Sequence, residues 1–170
     1  MTNLPTVDVA TLWNSLEWVR GGLQRTRSVT CPLCVTEAPK AAGLYRVAWI
    51  LDEGWERLSK VFHARATKRI VDPSVGFAAL QPPIVLSIGR TTNIFSRIRQ
   101  HFGNNRNSNR ILSRLRQISP SEWTDEDVRG AAAKSLQVEW AVVPNWVERC
   151  LLESYGKAIQ SPILDLDAEH

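Results

Sequence analysis

Three apolar segments with strand character, separated by helix-patterned or polar stretches, constrain this chain most. Residues 43–50 (GLYRVAWI) alternate, with Tyr45, Val47 and Trp49 on one face and Leu44, Ala48 and Ile50 on the other. Residues 83–89 (PIVLSIG) are apolar on both sides, which suits a buried strand. Residues 136–143 (LQVEWAVV) supply a third. Helical spacing fills the gaps. Leu12, Leu16 and Val19, with Trp13 and Trp18 beside them, predict an amphipathic helix over 7–25 that Gly21 and Gly22 end. Residues 26–42 read as a polar connector. Asn93 is a candidate N-cap for a helix over 94–102. Ile111, Leu112, Leu115 and Ile118 form the core face of the next helix. Pro144 and Asn145 open a last helix through about residue 159, its buried stripe expected at Trp146, Val147, Cys150, Leu151, Tyr155, Ala158 and Ile159. The order α–β–excursion–β–α–α–β–α predicts an α/β or α+β fold, a three-stranded sheet covered by helices.

At 170 residues the chain is long enough for one domain with its own core. Seven Trp argue for a folded chain, because Trp carries much buried area. No run nears the roughly 20 apolar residues that span a bilayer. Three Cys, an odd number, and a start without a basic and then apolar leader point to a cytoplasmic protein without a disulfide framework. Cys31 and Cys34 form a lone Cys-x-x-Cys. A zinc site would need two more ligands, and His63 and Cys150 are distant in sequence.

Charge is distributed unevenly. Residues 73–121 hold seven Arg, all between Arg90 and Arg116, and no Asp or Glu. Such a run must be neutralised from outside the segment. Residues 122–170, with ten acids, could fold against it, or it could form a phosphate-binding face. Arg rather than Lys favours the second, because the planar guanidinium matches phosphate oxygens. Arg97 and His101 lie four apart on one helix and share a face, as do Arg110 and Arg114 on the next. Read alone, His101 is equally a helix C-terminal histidine facing the last carbonyls. Read alone, Tyr45 is a core residue beside Val47 and Trp49, and Glu153 is an i,i+4 partner of Arg149.

The segments GLYRV, LSIGRTTNIFSRIRQHF and LLESYGKAIQSPILD resemble the GIY-YIG nuclease superfamily in order and spacing. Gly43, Leu44 and Tyr45 match its first motif, and Ser87, Ile88 and Gly89 its second, with Arg90 as the basic residue after it. Arg97 and His101 fall on the helix arginine and the His or Tyr four residues later. Leu151, Leu152 and Glu153 match the stretch that carries a metal-binding Glu, and Pro162 to Asp165 the closing Pro-x-x-Asn. Ser87 departs from a Tyr and Asp165 from an Asn.

The resemblance implies a small three-stranded antiparallel sheet flanked by helices over 43–170, with 52–83 as an excursion and 1–42 as an N-terminal helix and connector. It implies a divalent-metal-dependent endonuclease acting on DNA, most naturally double-stranded, as a restriction, repair or toxin enzyme. The alternative is a nucleic-acid-binding module of the same fold without catalysis. Arg97 would stabilise the charged transition state. Glu153 would hold Mg²⁺ or Mn²⁺, with Glu148 as the fallback. Tyr45 would be the general base, helped by a cation such as Arg90 or Arg97, and His101 would orient it or accept its proton. Arg90, Asn104, Asn105, Arg106, Asn107, Arg110 and Arg114 would grip the phosphate backbone. A double-strand break would then take a homodimer or two separate events.

Overall fold

The computed structural model describes residues 8–26, 33–50, 83–103, 110–119, 121–160 and 162. In chain order these form α1 (Val9–Asn14), β1 (Val19–Gly22), β2 (Gln24–Arg25), β3 (Leu33–Cys34), β4 (Gly43–Trp49) and β5 (Ile84–Thr91). They continue through α2 (Ile94–Phe102), α3 (Arg110–Ile118), α4 (Asp125–Ser135), β6 (Leu136–Val142) and α5 (Trp146–Gln160). The main sheet is antiparallel with the order β1-β6-β4-β5, and β2 and β3 form a separate two-stranded ribbon. The mixed α/β character and the antiparallel sheet match the expectation. The strand number does not, because among the described residues the main sheet has four strands rather than three.

The additional strand comes from the segment expected to be helix and connector. α1 is six residues long and stops at Ser15. Asp8 caps it, its carboxylate accepting from the Ala10 amide at 3.0 Å. The chain then pairs antiparallel with β6 over Val19–Gly22. Arg20 lies opposite Glu139 and bridges it at 2.8 Å, while Arg46 meets Glu139 from β4 on the other side. Gly21 leaves room for a large ring. A Cβ there would lie 2.7 Å from the Trp140 indole and 2.7 Å from Val35. The Gly-Gly read as a helix stop is therefore bare strand under Trp140.

Two cores lie on the two faces of the sheet. Tyr45, Val47, Trp49, Val138 and Trp140 face Ile94, Ile98 and Phe102 of α2, Ile111, Leu112 and Leu115 of α3, and Val128 and Ala132 of α4. Leu44, Ile88 and Val143 face Trp13 of α1 and Leu152 of α5. α4 has no counterpart in the order read from sequence. Its start is marked by a capping box, in which Thr124 accepts from the Asp127 amide and Asp127 accepts from the Thr124 amide.

α5 buries a different stripe from the expected one. Arg149, Leu152 and Gly156 are buried, whereas Trp146, Val147, Leu151 and Ile159 are exposed. Besides Leu152 in the second core, two contacts that dock this helix are not made by apolar side chains of its own. A Cβ on Gly156 would fall 2.3 Å from the Trp13 ring, so bare backbone receives that indole. The Arg149 guanidinium turns inward and donates to the Val143 carbonyl at 2.7 Å and the Pro144 carbonyl at 2.6 Å. Among the described residues no helix is long and apolar enough to cross a membrane.

Candidate active site

The antiparallel register puts Tyr45 opposite Gly89. A Cβ at Gly89 would lie 2.3 Å from the Tyr45 hydroxyl oxygen and 2.6 Å from the carbon bearing it. The phenol therefore crosses the bare backbone of β5, the outer strand of the sheet among the described residues, and its hydroxyl reaches α2. Only glycine allows this approach.

α2 is positioned by its first turn. The Asn93 side chain accepts from the Ser96 amide at 2.9 Å, as the sequence suggested. The Ile94 and Phe95 amides donate to Ala41 and Pro39, the residues that lead into β4, at 2.9 and 3.0 Å. The capping chain thus ties the helix to the start of the strand that carries Tyr45. With Ile94, Ile98 and Phe102 in the core, the 97/101 stripe turns to the phenol. His101 Nε2 lies 2.7 Å from the Tyr45 hydroxyl, and both residues are buried. Arg97 Nε donates to the same oxygen at 3.3 Å, a longer bond, while Arg97 also donates to the Gln100 carboxamide at 3.0 Å. The phenol oxygen therefore meets one group that exchanges a proton and one that is a permanent cation.

Glu153 sits in a second cluster. Its Oε2 accepts from Arg90 at 2.7 Å and its Oε1 pairs with Lys157 one turn on at 3.0 Å. Arg149 is not its partner, contrary to the simplest i,i+4 reading, because it is spent on the carbonyls before α5. Arg90 also lies 4.8 Å from the Trp146 ring centroid.

The two clusters stand on opposite faces of the β4–β5 pair. Arg90 shares its face with Ile88 and Leu44, which pack against α5, whereas Tyr45 faces α2. Tyr45, Arg97 and His101 are thus brought together, and Glu153 is brought to Arg90 rather than to Arg97. Both clusters meet consecutive residues, Gly89 and Arg90, of one outer strand.

Of the expected backbone-gripping residues, Asn104, Asn105, Arg106 and Asn107 lie outside the described residues, and Arg110 and Arg114 lie one turn apart on α3. Acids of the C-terminal third do neutralise part of the arginine run, since Arg90 meets Glu153 and Arg116 meets Asp125. Ser87, which stands where the resemblance expects Tyr, is buried opposite Val47. Cys31 and Asp165 lie outside the described residues. Among the described residues no group of three or more His, Cys, Asp or Glu side chains could hold a metal. No family model, curated protein or solved structure matches this chain.

Two participants were missed in the sequence. Lys157 is four residues after Glu153, a spacing that could have identified it. Trp146 was assigned to the core and is instead exposed beside Arg90.

Proposed function

We propose that this protein is a GIY-YIG-type endonuclease that hydrolyses phosphodiester bonds of DNA with the help of a divalent metal ion. The observation that carries the reading is the meeting of Tyr45, Arg97 and His101 over Gly89, residues drawn from one strand and one helix. A phenol flanked by an imidazole and a guanidinium suits proton removal from water. As Tyr45 takes the proton of an attacking water, its own proton passes to His101 across the 2.7 Å contact. Arg97 donates to the phenol oxygen and, on its exposed side, holds the negative charge that gathers on the phosphoryl oxygens. A phosphodiester lying across the outer edge of β5 would meet this cluster from one face and Arg90 with Glu153 from the other.

Mg²⁺ typically keeps several waters and needs only one or two carboxylates beside the substrate oxygens. Glu153 fits that demand as a single hard ligand, once Arg90 leaves Oε2 for a phosphate. The Arg90 side chain is 38% exposed, so solvent and a phosphate can reach it. A metal bound there would supply charge at the leaving oxygen.

One observation favours a second reading, a binding module without catalysis. Both Glu153 oxygens already face a cation. Supercoiled plasmid incubated with Mg²⁺ or Mn²⁺ separates the two. Tyr45→Phe, Arg97→Ala and Glu153→Gln should each lower nicking by about 10²- to 10⁴-fold while the fold persists. Equal nicking by all three variants and the parent protein would mean that this cluster does not carry the reaction. DNA binding without nicking, unchanged in Glu153→Gln, would favour the module.

A further inference from the structure

Trp146 stands on the first turn of α5 and is 57% exposed. One exposed indole is ordinary on a protein surface. Its setting is not. The Arg90 guanidinium lies over the ring at 4.8 Å and also bonds Glu153, so one side chain links the ring to the candidate site. Trp146, Glu153 and Lys157 are spaced i, i+7 and i+11 and therefore share one stripe of the helix, with the ring about 10 Å along the axis from Glu153. Below the ring, Arg149 is buried and bound to the Val143 and Pro144 carbonyls, which fixes the turn that presents the indole. The Asn145 side chain takes the Val147 amide at 2.9 Å and the Glu148 amide at 3.3 Å, so those two amides are already satisfied. What a ligand meets here is the exposed ring with the half-exposed Arg90 beside it, since Arg149, 5.9 Å from the ring, is spent on backbone carbonyls and Lys157 on Glu153.

We propose that Trp146 is a stacking platform for an unpaired nucleobase adjacent to the cut, and that Arg90 takes the neighbouring phosphate. A held indole with a guanidinium beside it is the combination that binds single-stranded nucleic acid, because every base has a π-face and every nucleotide a phosphate. A base inside a duplex is stacked on both faces and cannot use the ring. The preferred substrate class is therefore nucleic acid with an unpaired stretch at the site, such as a single strand, a flap or a bulge. This deepens the nuclease reading and rests on it for the place of the cut, but the base site itself can be measured without cleavage.

The test is fluorescence anisotropy in EDTA with three labelled ligands of equal length. These are oligothymidylate, the same sugar–phosphate chain with abasic spacers, and a duplex. The parent protein should bind oligothymidylate at least about fivefold more tightly than the spacer chain, which carries the same charge. Trp146→Ala should erase that preference, Trp146→Phe should keep most of it, and duplex affinity should change less than about twofold in either. Equal binding of oligothymidylate and spacer by the parent protein overturns the proposal without any variant having to fold. So does an equal loss on all three ligands in Trp146→Ala. If the parent protein is a dimer that Trp146→Ala makes monomeric with the base preference intact, the patch is a subunit contact and the proposal falls. A preserved base preference with no cleavage of plasmid, single-stranded or flap DNA in Mg²⁺ or Mn²⁺ would sink the nuclease reading and leave the base site standing.

Discussion

Replacing Gly89 by Ala tests the geometry on which the site depends. The added Cβ would lie 2.3 Å from the Tyr45 oxygen, 2.6 Å from the carbon bearing it and 2.8 Å from the adjacent ring carbon. Non-bonded carbons rest at about 3.5–4.0 Å, so the ring has to move by roughly 1 Å or more. The obstacle is not a flexible tip. Tyr45 is pinned in the central strand β4 by pairing on both sides, to β5 and to β6. Overpacking of this kind costs about 1–3 kcal/mol. If the proposed nuclease reading holds, the larger effect falls on the reaction, because the displaced hydroxyl leaves the 2.7 Å contact with His101. Misplacement by about 1 Å can cost on the order of 10²-fold in rate. Urea unfolding and plasmid nicking measure the two effects. Gly22→Ala is the control, since nothing lies within 4 Å of a Cβ there. In a Tyr45→Ala background the stability cost of Gly89→Ala should drop below about 1 kcal/mol, a non-additivity expected of touching sites. An unchanged unfolding midpoint and a nicking rate within about twofold of the parent protein would refute the placement of the phenol over β5.

Further outcomes follow from contacts away from the site. Gly156→Ala should lower stability by about 1–3 kcal/mol in urea unfolding, because the methyl would enter the Trp13 ring at 2.3 Å, and a smaller residue at position 13 should relieve it. Glu139→Ala should cost about 2–4 kcal/mol, less than a fully buried pair, because it strands Arg46 in the sheet while Arg20 is largely in solvent; a loss under about 0.5 kcal/mol would contradict the cross-strand role of Glu139. The Thr124 hydroxyl, and then its backbone amide, hold the Asp127 carboxyl below its ordinary 3.8. A depressed value in the folded state means that the contribution is present above the unfolded value and is lost as pH falls through the folded one. Acid unfolding of Asp127→Asn should therefore converge with that of the parent protein at low pH and differ from it near neutrality.

The parts of the fold that were legible in the sequence are those set by local chemistry. β4 and β6 show in their apolar patterning, and β5 is a doubly apolar run because it is covered on both faces. Asn93 announced α2 because a cap is a short-range device. The i,i+4 spacing of Arg97 and His101 placed both on one face, and the structure turns that face to Tyr45. The N-terminal segment misled because Leu12, Leu16 and Val19 fit a helical period, while the deciding partners, Glu139 and Trp140, lie more than a hundred residues away. α5 misled for a related reason. Its docking surface is a glycine, a buried arginine and Leu152, and apolar content pointed to the exposed side. That Glu153 and Arg97 attach to opposite faces of the sheet depends on the pleat of β5, which no spacing within α2 or α5 encodes.

The β4–β5 hairpin has two ends, and they carry different burdens. At one end Gly43 pairs with Thr91, next to Tyr45, Gly89 and the start of α2; at the other Trp49 pairs with Ile84. Residues 51–82 are inserted at that far end, about four strand positions, or roughly 13 Å, from the phenol. The position of Tyr45 against His101 is set by the pairing of β4 with β5 and β6 and by the docking of α2. The hairpin thus separates the end where chain is inserted from the end where Gly89 receives the phenol.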